Sequence, residues 1–188
     1  MNWSERMIAR ALARQTFNRQ HLVVVPNCTW TGNECDLLVV TENLRIIDVE
    51  IKISRADLKA DAKKYKWWQT YTKDPVTGRH KAISPPLPRN HPVKVWKHYY
   101  AIPKEIWKPD LLECLPSPDS GVILLFEQRN SVTPLAASVE RRAKPCRDAH
   151  ILSPAAAIDI ARLASLRMWD AYLELERTQA KQRLELAA

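Results

Sequence analysis

The sequence predicts an α/β domain in which a mixed central sheet of four to six strands is flanked by helices, with a long helix at the C-terminus. Three observations carry this expectation. Short runs rich in Val, Ile and Leu recur at residues 21–25, 35–40, 44–53 and 121–126, with an aromatic one at 96–102, between stretches of helical period. Ser4 and Ser54 stand where helix N-caps belong, ahead of apolar residues spaced three and four apart. Ser153-Pro154 opens a run rich in Ala, Leu, Glu and Arg that continues almost to the end of the chain. With 188 residues, 46% of them hydrophobic, there is material for one packed core.

In chain order, Ser4 caps a first helix reaching to about Asn18, with Met7, Ile8, Ala11 and Leu12 as its buried stripe. Residues 21–25 form a short strand that Pro26 closes. Residues 35–40 and 44–53 read as a hairpin turning at Thr41-Glu42-Asn43. Ser54 with Asp57 resembles a capping box, and the helix it opens is expected to run to about Thr72, burying Leu58, Ala62 and Tyr65. Between Lys73 and Pro92 six Pro or Gly residues stand among basic ones, which predicts a long loop. Strands at 96–102 and 121–126 follow, then a weaker one at about 135–139 and the final helix.

Charge is unevenly distributed. The chain carries 29 Lys+Arg against 21 Asp+Glu, but residues 52–108 alone hold 14 basic and 4 acidic side chains, and the two flanks are close to neutral. The same block contains Trp67, Trp68, Trp96 and Trp107. Phosphates attract Lys and Arg, and unpaired bases stack on aromatic rings, so nucleic acid is the expected partner. A solvated lysine face over ordinary core aromatics is the alternative. The candidates for these contacts are Lys63, Lys64, Lys66, Lys73, Arg79, Lys81 and Arg89, with Trp67 and Trp68 as stacking platforms. Four cysteines without CxxC spacing indicate neither a disulfide framework nor structural zinc. No run approaches the ~20 apolar residues of a membrane span, so a cytoplasmic setting without a membrane partner is expected.

The chemistry lies in the hairpin, NECDLLVVTENLRIIDVEIKIS. Alternation along a strand puts Asp48, Glu50 and Lys52 on one face and Ile47, Val49 and Ile51 on the other. A turn at Glu42-Asn43 pairs residues whose numbers sum to about 85 or 86, which places Asp36 beside Val49 or Glu50. Two carboxylates with a lysine one strand step away suit Mg²⁺ or Mn²⁺ and phosphodiester hydrolysis. A cross-strand ion pair on a wet face is the structural alternative. Both strands are rich in Leu, Val and Ile, and on a covered sheet unpaired acids are costly.

These residues resemble the PD-(D/E)xK nuclease superfamily, whose motif is matched by ECD…DVEIK. EIKISRADLKADAKKYKWWQTY, then HYYAIPKEI, GVILLFE and RRAKP, resembles its MmcB-like branch, associated with DNA repair; the similarity spans about residues 1–145. The resemblance implies a restriction-endonuclease-like core and catalytic Asp36, Glu50 and Lys52. It also implies metal ligation by Asp36 and Glu50, with Glu5 as a further carboxylate, and accessory positions at Asp61 and Gln69. It favours DNA, single-stranded or structured, as substrate in repair, recombination or phage DNA processing. A non-cleaving binding module on the same fold is the alternative. Cys35 stands where the superfamily's nominal Pro would be. Residues 1–150 are then the nuclease-like domain with a basic, Pro-rich insertion at 73–97, and 151–188 a helical extension offering a surface to a second copy or another protein.

Overall fold

The computed structural model describes residues 2–17, 21–128 and 134–187. The N-terminal helix α1 (Glu5–Ala11) is capped by Ser4, whose hydroxyl accepts the Met7 N–H, and continues into a π-type turn at Leu12–Thr16. The expected end at Asn18 lies outside the described residues. Ile8, Ala11 and Leu12 are buried. The side-chain amide of Gln15 donates to the Leu135 carbonyl and ties this segment to the far side of the sheet.

A six-stranded mixed sheet forms the centre. In chain order its members are β1 (His21–Cys28), β2 (Cys35–Thr41), β3 (Ile46–Ile51), a fourth strand Val95–Pro103, a fifth Gly121–Glu127 and a sixth Leu135–Arg141. Between the third and fourth members lie α2 (Arg55–Ala60), two 3-10 turns and a separate two-stranded ribbon, β4 (Trp68–Lys73) and β5 (His80–Pro88). The last three sheet strands are therefore β6, β7 and β8. Neighbours run β1-β2-β3-β6-β7-β8; β3, β6 and β7 are parallel, and the outer pairs antiparallel. Of the parallel central strands β7 reads as a continuous apolar run because both its faces are covered, whereas β3 and β6 carry Asp48, Glu50 and His98 into the interior.

One face packs on α1 through Leu37, Val39, Ile47, Val49, Ile51, Ile123 and Leu125. The other carries two clusters. Leu38, Val40 and Ile46 pack with Leu152 and Ile160, and Tyr100, Ile102, Val122 and Leu124 pack with Leu58 and Trp67. The C-terminal helix α3 (Pro154–Ala187) thus begins inside the core. Ala156, Ala157 and Ala164 pack there as well; the outer side of these turns, with Ile158 and Leu163, and the later part of the helix, with Trp169, Tyr172 and Leu173, are exposed. Among the described residues no helix is long and apolar enough to cross a membrane.

Two expectations for 54–97 are corrected. The helix from Ser54 does not reach Thr72 but ends at Ala60, followed by 3-10 turns at Asp61–Lys63 and Tyr65–Trp67. The run Trp68-Gln-Thr-Tyr-Thr is β-branched and aromatic and takes extended backbone instead. The expected loop contains β5, joined to β4 through a turn in which the Asp74 carboxylate accepts the Val76 and Thr77 amides and Gly78 takes φ +68°. The insertion is a ribbon, and its prolines fit because a two-stranded ribbon has only edge positions.

Candidate functional site

The hairpin register agrees with the expected sum: Leu37 pairs with Val49 and Leu38 with Asp48. Asp48, Glu50 and Lys52 share the face that meets α2 and its 3-10 turns. All three are buried, at 1%, 1% and 3% exposure, and they are joined there by Asp61, Lys66 and Tyr100, also buried. Glu50 lies at the centre. Its Oε2 accepts from Lys52 Nζ (2.9 Å) and Lys64 Nζ (3.0 Å), and its Oε1 from Lys66 Nζ (2.5 Å). Burial pushes the Glu50 carboxyl up, but the ammonium groups of Lys66 and Lys52 outweigh it and hold the group below its ordinary value.

Asp61 completes the cluster. It stands 3.2 Å from Lys52 and 2.8 Å from Lys64, while its Oδ2 accepts from Tyr100 Oη (2.6 Å) and Trp67 Nε1 (3.0 Å). Burial raises its pKa; Lys66, Lys64, Tyr100 and Lys52 together bring it well below the usual carboxylate range. Asp48 is less well matched, 3.5 Å from Lys66 and 3.8 Å from His98 Nε2, and burial pushes it up to about 6. His98 is fully buried; burial and then Lys66 hold its pKa well below normal, and its Nδ1 lies 3.0 Å from Ser120 Oγ. Its Nε2, 3.8 Å from Asp48, is buried without a hydrogen-bond partner.

Asp36 is placed differently from the expectation. At the start of β2 the alternation is interrupted. Cys35 packs with Leu38 and Val40, and Asp36 lines a cavity on the α1 side together with Glu5 and Ile51. Its Oδ2 accepts the Ile51 N–H at 2.7 Å. Burial, then the negative charge of Glu50, raise its pKa to about 6; the Ile51 N–H and Lys52 oppose this, and Glu5 adds to it. Asp36 and Glu50 thus lie within electrostatic reach but share no hydrogen-bond partner. Among the described residues no three His, Cys, Asp or Glu side chains come together as a ready-made metal cage.

Other candidates divide. Lys63, Lys73, Arg79 and Lys81 are exposed and Arg89 is half-buried, on or beside the ribbon; Trp68 is exposed, and the side chain of Gln69 donates to the Tyr71 carbonyl there, away from Glu50. Lys66 and Trp67 are corrected: both are interior, because Lys66 neutralises Glu50 and Asp48 and Trp67 packs on Leu58 and Tyr100, so neither stands on the surface. Lys64 is half-exposed, and its ammonium is committed to Glu50 and Asp61. Asp57 follows its capping reading, its N–H donating to Ser54 Oγ. His98, expected from its place beside the basic loop to be a phosphate contact or exposed, is instead fully buried, and the parallel pairing Asp48–His98 and Glu50–Tyr100 brings it and Tyr100 to the cluster. Polar residues alternating within the apolar run 95–103 were the available signal.

The fold and the buried acid–lysine cluster define a mixed α/β protein with a charged centre at the end of its third strand. No family model and no curated protein matches the chain. Among solved structures it is similar to the SPO1766 protein of unknown function from Silicibacter pomeroyi, with 18% identity over 95% of this chain and 96% of that one, and a TM-score of 0.54. That likeness concerns the fold alone.

Proposed function

We propose that this protein is a metal-dependent nuclease with a restriction-endonuclease-like core, acting on DNA in repair, recombination or phage DNA processing. The observation that carries the reading is Asp36. It is a part-buried carboxylate, short of countercharge, one backbone amide away from Glu50, and beside a cavity that Glu5 also lines. Such a group fits a divalent cation, because burial and two neighbouring negative charges penalise it until positive charge arrives. Asp36 and Glu5 would hold Mg²⁺ or Mn²⁺, with Glu50 joining them where the ion replaces one of its ammonium partners; the ion would supply countercharge to a phosphate and lower the pKa of its bound water. Ile51 fixes Asp36 through its amide. Glu50 and Asp61 hold the Lys52 ammonium in a single place, where it donates toward a developing negative charge without reorganising. The exposed cations of the β4–β5 ribbon hold the backbone of the substrate.

The test is a panel of labelled single-strand, duplex, flap and junction DNA with and without Mn²⁺. Metal-dependent cutting is expected in the wild type and is lost in Lys52→Ala and Asp36→Asn, both of which still bind DNA. Because Lys52 is buried among charges, Asp36→Asn guards against a loss that is only unfolding.

A second reading rests on one observation. Both oxygens of Glu50 are occupied by ammonium groups, an arrangement that suits a non-cleaving DNA-binding module in which the cluster is structural. Salt-dependent binding with no cutting in any divalent metal would select it.

A further inference from the structure

A cavity of about 470 Å³ lies between α1, the ends of β1 and β2, and α3. Beyond Asp36 and Glu5, its wall carries three guanidinium groups from distant parts of the chain. Arg6 and Arg10 are one turn apart on α1, and Arg167 comes from α3. Arg167 is held in place, donating to the Asn27 carbonyl at 3.3 Å and standing 3.7 Å from Asp170. The wall between these groups is largely apolar, including Ala9, Val24 and Ala171.

We infer that this cavity seats the strand that the centre acts on, with Arg6, Arg10 and Arg167 clamping its phosphates and the apolar wall taking a sugar or base. The inference rests on the nuclease reading and adds a substrate-positioning set to it. Three features point to a nucleic-acid backbone. Guanidinium forks match phosphate oxygens in paired hydrogen bonds and lose little freedom in doing so. The three cations are spread over two helices, which fits an extended polyanion better than one small anion. The acids in the wall have their own partners: Asp170 faces Arg167, and Asp36 with Glu5 is where the metal ion is proposed. A loaded cavity is therefore net positive.

The assignment also gives α3 a task. Ile160 on its second turn, with Leu152 just ahead of the helix, anchors it in the core, which carries Arg167 to the cavity mouth.

The experiment is fluorescence anisotropy with a labelled oligothymidylate in Ca²⁺ in place of Mg²⁺ or Mn²⁺, so that the carboxylates carry a divalent ion and binding is read apart from Mn²⁺-dependent cleavage. The proteins are the full chain, Arg6→Ala/Arg10→Ala, Arg167→Ala and, as a charge-matched control, Arg183→Ala, which lies on exposed α3 outside the cavity. The double variant is expected to weaken binding about tenfold at ~0.1 M salt and to lower the log–log salt slope by roughly 2; Arg167→Ala costs about threefold, and the control nothing. Arg6→Lys/Arg10→Lys restores the salt slope without restoring the affinity, because charge returns and the fork does not. Binding by the cavity variants equal to that of Arg183→Ala overturns the assignment, as does absence of binding by the wild type. A wild type that binds through these arginines but never cuts with Mn²⁺ sinks the nuclease reading and leaves the clamp standing. A wild type that cuts, with cavity variants that bind and cut as well as it does, sinks the clamp alone.

Discussion

At the end of β3, neighbouring carboxylates are found in opposite electrostatic conditions, Glu50 and Asp61 fully buried and Asp36 partly so. On the α2 side, Glu50 and Asp61 are interlocked with Lys52, Lys64 and Lys66, and both carboxyls sit below their ordinary values despite burial. On the α1 side, Asp36 has one backbone amide and two neighbouring negative charges, and it is raised to about 6. Burial does not by itself tell a functional acid from a structural one. A matched carboxylate fixes the geometry around it, whereas one short of positive charge can accept a cation.

The sharpest way to break this contrast is to unbalance the matched side. Lys66 is buried and serves both Glu50 and Asp48, so Lys66→Ala leaves two interior acids without their shared ammonium. Urea unfolding is expected to show a loss of about 3–5 kcal/mol. A loss below about 1 kcal/mol would mean that the cluster is not what holds α2 and its turns on the sheet.

The unmatched side makes the opposite prediction, a gain on adding a ligand. Mn²⁺ at a hundred times its dissociation constant should stabilise the wild type by ~2.7 kcal/mol, and Asp36→Asn by little or nothing. Thermal unfolding at rising Mn²⁺ measures this directly. An equal gain in both proteins would place the ion somewhere other than Asp36.

The contrast also explains how far the sequence could be read. The sheet strands, the Ser4 and Ser54 caps and the shared face of Asp48, Glu50 and Lys52 were legible because alternation and capping are local. Asp36 was not, because the break in alternation between Cys35 and Leu37 depends on how the start of β2 meets β1, α1 and β3. Lys66 and Trp67 looked like surface residues in a basic, aromatic block. Only the topology, which folds the 3-10 turns back over Glu50, makes one a countercharge and the other core. The ribbon was missed because prolines argue against a strand in a sheet interior and say little about one in a two-stranded edge.

The adjacent tryptophans turn that lesson into a measurement. Trp67 is 1% exposed and Trp68 38%. Trp68→Ala should weaken single-strand DNA binding by about 1–3 kcal/mol if the ring stacks on a base, with no change in unfolding midpoint. Trp67→Ala should cost about 3–5 kcal/mol of stability, and any loss of binding should follow unfolding. Unchanged binding in Trp68→Ala would leave the ribbon to its cations alone.

The smallest effect concerns protons at Asp36. A carboxyl whose folded pKa is raised to about 6 contributes stability that is complete below its unfolded value near ~4 and is lost as pH rises through 6. Asn stays neutral and its side-chain oxygen can still accept the Ile51 N–H, so Asp36→Asn should match the wild type near pH 4 and be the more stable protein at pH 8. Because the side chain is only part-buried, solvent screening reduces the difference to about 1 kcal/mol. Saturating Mn²⁺ at pH 8 should abolish that advantage, since the ion supplies the charge that Asp36 lacks. An Asn variant no more stable than the wild type at pH 8 would mean that Asp36 is already neutralised, and the argument for a cation beside it would fall with that result.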